Sequence, residues 1–127
     1  MGFDAVVVRV ARDGGVSFAP RPSGPPPRVD GYLLASSSLE RPPPHRGERH
    51  PDGDELIWLT SGAVTVVIEA PGGDRRHSLR PGNAVIVARG LWHRIEVARP
   101  SRIVHLTPGP SGDHRPMRPE DEEGGAP

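Results

Sequence analysis

ERHPDGDELIWLTSG, Glu48 to Gly62, is the stretch on which the reading of this chain turns. His50 is followed five positions later by Glu55, which opens an apolar run of strand-forming residues that Gly62 ends. A second histidine, His93, heads a similar run in GLWHRIEV. Side chains alternate faces along a strand. Glu48 and His50 therefore share a side if their segment is extended. Glu55, Ile57 and Leu59 share one face of the next run, with Leu56 and Trp58 opposite. His93, Ile95 and Val97 share a face of the later run, leaving Arg94 and Glu96 for solvent. Each run thus carries an ionisable residue at one end of an apolar row, at the mouth of a core. An inward carboxylate is costly unless something compensates it, and a bound cation does so. Two neutral imidazoles plus one carboxylate, with coordination positions left open, is a ligand set of non-haem iron oxygenases.

The sequence on either side reads as more strands. DAVVVRV (4–10) predicts one, Asp13-Gly14-Gly15 a turn, and Val16–Phe18 a short return. The proline-rich segment 20–27 cannot join a sheet interior, because proline lacks the ladder donor. Tyr32–Ala35 predicts a further strand before a polar serine patch, and a second proline run at 42–44 leads into the organising stretch. Glu55–Thr60 and Ala63–Glu69 are expected as two strands joined by a tight hairpin at Ser61-Gly62. Arg76–Leu79, Ala84–Ala88, His93–Ala98 and Ile103–Thr107 complete the set. Short strands broken by Gly/Pro turns about every ten residues indicate an all-β sandwich or closed barrel. Beyond Thr107 apolar residues almost vanish, which predicts a disordered tail.

Composition narrows the function classes. A chain of 127 residues makes a single domain, and with no cysteine it has neither disulfides nor a thiolate zinc site. Sixteen bases balance sixteen acids, which argues against a nucleic-acid footprint or a polybasic membrane surface. The apolar runs are too short to span a bilayer, and the N-terminus has no secretory-signal pattern, so a cytoplasmic location is expected.

The spacing of these residues resembles the two motifs of the cupin family, small barrels of the jelly-roll type. In the first motif His50 takes the second histidine place, Glu55 the glutamate and Gly62 the closing glycine; in the second, Gly82 opens and Gly90-Leu91-Trp92-His93 supplies G-x-x-H. Glu48 stands where the family has its first histidine, Pro42 where it has its leading glycine, Ala88 for a proline and Val97 for an asparagine. The resemblance implies a single-domain cupin barrel over 29–109, an N-terminal strand arm and connector over 1–28, and a tail over 110–127. It maps His50, Glu55 and His93 onto metal ligands, with Glu48 in the fourth place, for a divalent transition metal (Fe, Mn, Zn or Ni). Glu48 is either that fourth ligand, a solvent-facing side chain, or a general base beside a three-ligand site; Glu48 and Glu55 are the candidate catalytic carboxylates.

Ile57, Leu59, Trp92 and Ile95 are the candidate substrate pocket, with Trp92 at its mouth or covering the barrel end. His45, an odd number of residues from His50, is a reserve ligand; His77 is expected on a polar edge, His105 in a structural role and His114 in the tail. The expected activity is a metal-dependent enzyme acting on a small, partly hydrophobic molecule such as an aromatic or ketide-like acid. The alternatives are a non-catalytic small-molecule binder and a metal-free interaction barrel. By resemblance the partner is a second copy of the chain, joined through the N-terminal strands; no nucleic-acid or membrane partner is expected.

Overall fold

The computed structural model describes residues 2–24, 28–43 and 45–116. After a 3-10 turn at Phe3–Ala5, the strands are β1 (Val6–Ala11), β2 (Val16–Pro20), β3 (Gly31–Leu39), β4 (Glu48–Arg49), β5 (Glu55–Ala70), β6 (Gly73–Leu79), β7 (Ala84–Val87), β8 (His93–Gly109) and β9 (Asp113–His114). Every pairing is antiparallel. The expected all-β architecture is present, and among the described residues no helix is long and apolar enough to cross a membrane.

The frame consists of two long strands. β5 and β8 pair along most of their lengths, from Leu56↔Leu106 to Ile68↔His93. The first half of β5 also pairs with β7, its second half with β6. On the other side β8 pairs with β3, and β3 with β1, which carries β2 as the outer strand. The sheet folds over one core in which Ile57, Leu59, Val64, Val66, Ile68, Leu79, Val87 and Ile103 are buried together.

The hairpin expected at Ser61-Gly62 is not there. The chain runs straight on as one strand, and the ladder slips register between Leu59 and Val64. The slip has a packing consequence. Odd-numbered residues (Ile57, Leu59) face inward before it and even-numbered ones (Val64, Val66, Ile68) after it, so both halves of β5 reach the same core. Gly62 takes φ +90° there, and Ser101 of β8 supplies what the broken ladder leaves unpaired. Its hydroxyl accepts from the Ala63 amide at 3.0 Å and donates to the Arg99 carbonyl at 2.7 Å. A Ser-Gly pair reads locally as a reversal; with a partner strand bent beside it, it serves as a bulge.

Two further segments differ from expectation. The N-terminal strand is continuous with the barrel of its own chain, pairing with β3 from Val8↔Leu34 to Ala11↔Gly31, and Val7 packs with Leu33 and Ala35 in a second small core. Part of the tail expected over 110–127 is placed against the barrel. Asp113 and His114 form a strand on β4 (Glu48↔His114, Arg49↔Asp113), fastened by the Arg49–Asp113 ion pair at 2.8 Å. Arg115 donates to Glu69 at 2.5 Å and lies over Trp92, 4.2 Å from the ring centroid. Backbone and salt-bridge partners, rather than apolar burial, order this segment, so composition did not reveal it. The expectation for 117–127 lies outside the described residues.

The bulge gives a direct test. A Cβ at residue 62 would lie 2.2 Å from Ser101 Oγ and 2.5 Å from the Pro100 carbonyl, whereas at Gly72, with a similar φ of +92°, it would meet nothing. Gly72→Ala is expected to cost about 1 kcal/mol, from backbone conformation alone. Gly62→Ala should cost at least about 2–3 kcal/mol in urea unfolding at unchanged m-value. Equal costs would mean that the bulge is not the constrained corner described.

Candidate metal centre

Three local features bring the ionisable residues together. β4 lies between β8 and β9, with Glu48 directly opposite His93. The 50–54 loop is knitted to the turn before β8: the Gly90 amide donates to the His50 carbonyl at 3.0 Å, and the Arg89 amide to Asp54 at 2.8 Å. Glu55 then opens β5 one strand away. Four donor atoms, one each from Glu48, His50, Glu55 and His93, lie within 4.8 Å of one another.

Their contacts are unusual for a resting protein. Glu55 is 4% exposed and His93 1%. His93 Nε2 is 2.8 Å from Glu55 Oε1 and 3.5 Å from Glu48 Oε1; His50 Nε2 is 3.4 Å from Glu55 Oε2 and 3.6 Å from Glu48 Oε1. His93 Nδ1 faces the Leu91 carbonyl at 3.3 Å. A hydrogen on Nδ1 would donate to that carbonyl, and one on Nε2 would donate to Glu55. The neutral ring satisfies only one of the two contacts; a ring protonated on both nitrogens, or one with a metal on Nε2 and the hydrogen on Nδ1, satisfies both. His50 Nε2 is buried with no hydrogen-bond partner at all. Donor atoms sharing one ion at bonds of about 2.0–2.2 Å stand about 3.0–3.4 Å apart, close to most of these separations. A backbone-tethered Nδ1 behind a ligating Nε2 is the usual outer support of a metal-bound histidine. The donor set therefore fits a divalent transition metal.

Without a metal, protons take its place. Burial alone would lower both histidines, but the facing carboxylates of Glu48 and Glu55 outweigh it, raising His50 to about 9 and His93 to about 10. Burial would likewise raise the two carboxyls, yet their histidine partners hold both well below the usual range.

Glu55 is also held from behind. Thr107 donates to its Oε2 at 2.6 Å, which leaves Thr107 Oγ1 to accept from His105 Nδ1 at 2.8 Å; His105 Nε2 then accepts from the Ser37 hydroxyl at 3.2 Å. Burial lowers His105, so it is neutral at pH 7. Neither Thr107 nor Ser37 was singled out from sequence. A signal was present, since His105 and Thr107 are odd-numbered on β8 and share a face with His93.

These groups floor a cavity of about 810 Å³. Leu33, Leu39, Ile57, Ile95 and Ile103 make its apolar wall, and residues 108–116 its rim. Ile57 and Ile95 are on the wall as expected from sequence. Leu59 is not, being fully buried in the core. Trp92 is not either; it packs outside under Arg49 and Arg115. His77 is exposed on β6. His45, expected to face away, is brought back by the bend after Pro43, its Nε2 3.8 Å from Glu48 Oε2; burial keeps its pKa below the usual value. His114 Nε2, from β9, is 3.5 Å from the same oxygen.

No protein-family model matches the chain, and no curated protein does. Solved structures match over most of its length. A cupin-2 domain protein from Shewanella frigidimarina superposes with TM-score 0.53 at 16% identity, covering 65% of this chain and 74% of that one. The chain has the cupin fold. Two further cupin barrels match with TM-score 0.56 at 16% identity. Oxalate oxidase in complex with the substrate analogue glycolate is covered over 45% of its length by 65% of this chain. Oxalate decarboxylase of Bacillus subtilis is covered over 24% of its length by 67% of this chain. The chain thus spans less than half of either oxalate enzyme. Within the cupin barrel, His50, Glu55 and His93 stand together where the motif resemblance placed them, and Glu48 completes the cluster.

The cluster's pH dependence has a definite sign. The raised histidines stabilise the metal-free fold fully below about 6.5, and this contribution is lost as pH rises through about 9–10. The lowered carboxyls stabilise it above about 4.5 and lose that contribution as pH falls. A metal has to displace two imidazole protons, so its affinity rises with pH. Between pH 6 and 8.5 the Tm difference between zinc-loaded and EDTA-treated protein should widen. Calorimetry at pH 7 in buffers of different ionisation enthalpy should show about two protons released per ion. A pH-independent difference with no proton release would rule out this cluster as the binding site.

Proposed function

We propose that this cupin barrel is a divalent-transition-metal enzyme acting on a small, largely apolar organic acid, with His50, His93, Glu55 and Glu48 as the metal ligands. The observation that carries the proposal is the cluster of two histidines and two carboxylates, converging within 4.8 Å at the floor of a mostly apolar cavity. When bound, the metal would supply Lewis acidity at the substrate's acidic head and, if redox-active, access to O₂. The remaining work falls to the protein. The aliphatic wall excludes water and takes the substrate's apolar body. Glu55 has its Oε2 held by Thr107 and its Oε1 turned into the cluster toward His93, which suits a ligand better than a base. His105 suits the base: it is neutral, it lines the cavity, and a substrate hydroxyl displacing Ser37 from its Nε2 would find an acceptor there.

Size favours such an acid over oxalate. A cavity of about 810 Å³ is far larger than a two-carbon diacid needs. The proposal also assigns the outer edge of β2, where Val16 and Phe18 are exposed, to a second copy of the chain. A monomer mass in sedimentation equilibrium at micromolar concentration would remove that part.

Elemental analysis of tag-free protein should find at least one tightly held equivalent of a transition metal, absent from the His50→Ala/His93→Ala double variant. In a panel of aromatic and polyketide-like acids, with and without O₂, at least one should be turned over by the loaded protein. His105→Gln should keep the metal and lower that turnover at least about 100-fold. No metal even after reconstitution would overturn the proposal. Ligand binding that survives metal removal, with no turnover, would instead establish a non-catalytic binder.

A further inference from the structure

The metal centre leaves one oxygen of Glu48 unused. Oε1 faces His50 and His93, at 3.6 and 3.5 Å; Oε2 points the other way, to His45 at 3.8 Å and His114 at 3.5 Å. His45, Glu48 and His114 form a second group whose donor atoms all lie within 4.8 Å of one another, and the His45 and His114 rings are 5.2 Å apart. Resting on the metal-centre reading above, we infer that the chain holds a second divalent transition-metal ion between His45, His114 and Glu48 Oε2, with the Glu48 carboxylate bridging the two ions.

Side-chain chemistry favours a glutamate here. A neutral imidazole at position 48 would offer the centre one ligating nitrogen and keep a hydrogen on the other. A carboxylate offers two oxygens on opposite sides, and here each meets a pair of histidines. Imidazole and carboxylate donors suit Mn, Fe, Co, Ni and Zn. Both groups border the same cavity, so an acidic ligand head could reach both ions.

The outer ion is the weaker. Its ligands are more exposed, with the His114 side chain 53% accessible. The Gly47 amide donates to His45 Nδ1 at 3.2 Å, so ligation through Nε2 exchanges the tautomer and gives up that long hydrogen bond. Two carboxylates neutralise the first ion, and the second shares one of them. Its occupancy should therefore follow that of the inner site and rise with pH.

The test is titration of the full-length apoprotein with Mn(II), followed by native mass spectrometry and electron paramagnetic resonance. Two ions should bind per chain, the second at least tenfold more weakly, and its arrival should replace the isolated Mn(II) spectrum by that of a spin-coupled pair. His45→Gln/His114→Ala should bind one uncoupled ion with affinity within about threefold of the wild-type inner site. Glu48→His should also bind one. His114 is exposed, so His114→Ala alone remains informative if the double variant does not fold; it should weaken the second ion at least tenfold. Saturation of the wild type at one ion, a second ion without coupling, or a second ion unaffected by the His45/His114 changes would overturn the inference while leaving the inner site standing. Binding of no ion by wild type would overturn both.

Discussion

One buried contact between an imidazole and a carboxylate sets the terms for this molecule. His93 Nε2 and Glu55 Oε1 are 2.8 Å apart, and the Leu91 carbonyl lies behind the ring at its other nitrogen. A positive charge between ring and carboxylate satisfies both sides of the ring at once. A proton can supply that charge, and so can a metal, which additionally satisfies His50 Nε2, otherwise buried without a partner. The cluster costs the fold desolvation of four ionisable groups and returns little unless occupied.

The frame delivers this cluster by a phase change. Because β5 slips register at Gly62, Glu55, Ile57 and Leu59 point inward from one half and Val64, Val66 and Ile68 from the other. Without the slip one half would present its alternate set, and either the core or the carboxylate would turn to solvent. The Ser101 hydroxyl, which pairs with the backbone at that corner, is thus as much a part of building the site as the residues beneath the cavity.

Much of this was legible in the sequence, and the parts that were not share a cause. Strand period placed Glu55 with Ile57 and His93 with Ile95, and motif spacing grouped His50, Glu55 and His93, because both signals are local or nearly so. Ser61-Gly62 misled, since a bulge and a hairpin use the same residues and differ only in whether a neighbouring strand bends alongside. Leu59 and Trp92 were misassigned to the pocket because alternation tells inward from outward, while depth along the barrel decides between core and cavity. His105 was read as structural and Thr107 was not singled out, although both continue the face of His93. Their role depends on Ser37, about seventy residues earlier, meeting them across the β3–β8 ladder.

The tail and the departure from the family motif belong together. Taken alone, glutamate in place of a ligand histidine looks like the loss of a site, and a polar C-terminal segment looks like excess chain. In the fold Glu48 is the residue that β9 pairs with, and the pairing sets His114 beside the carboxylate oxygen that His50 and His93 do not face. The proline-led bend before β4 sets His45 on the same oxygen. The glutamate gives the approach segment and the tail a common anchor at the cavity rim. The substitution that weakens the resemblance to the motif is therefore the one around which this chain's own additions to the barrel are arranged.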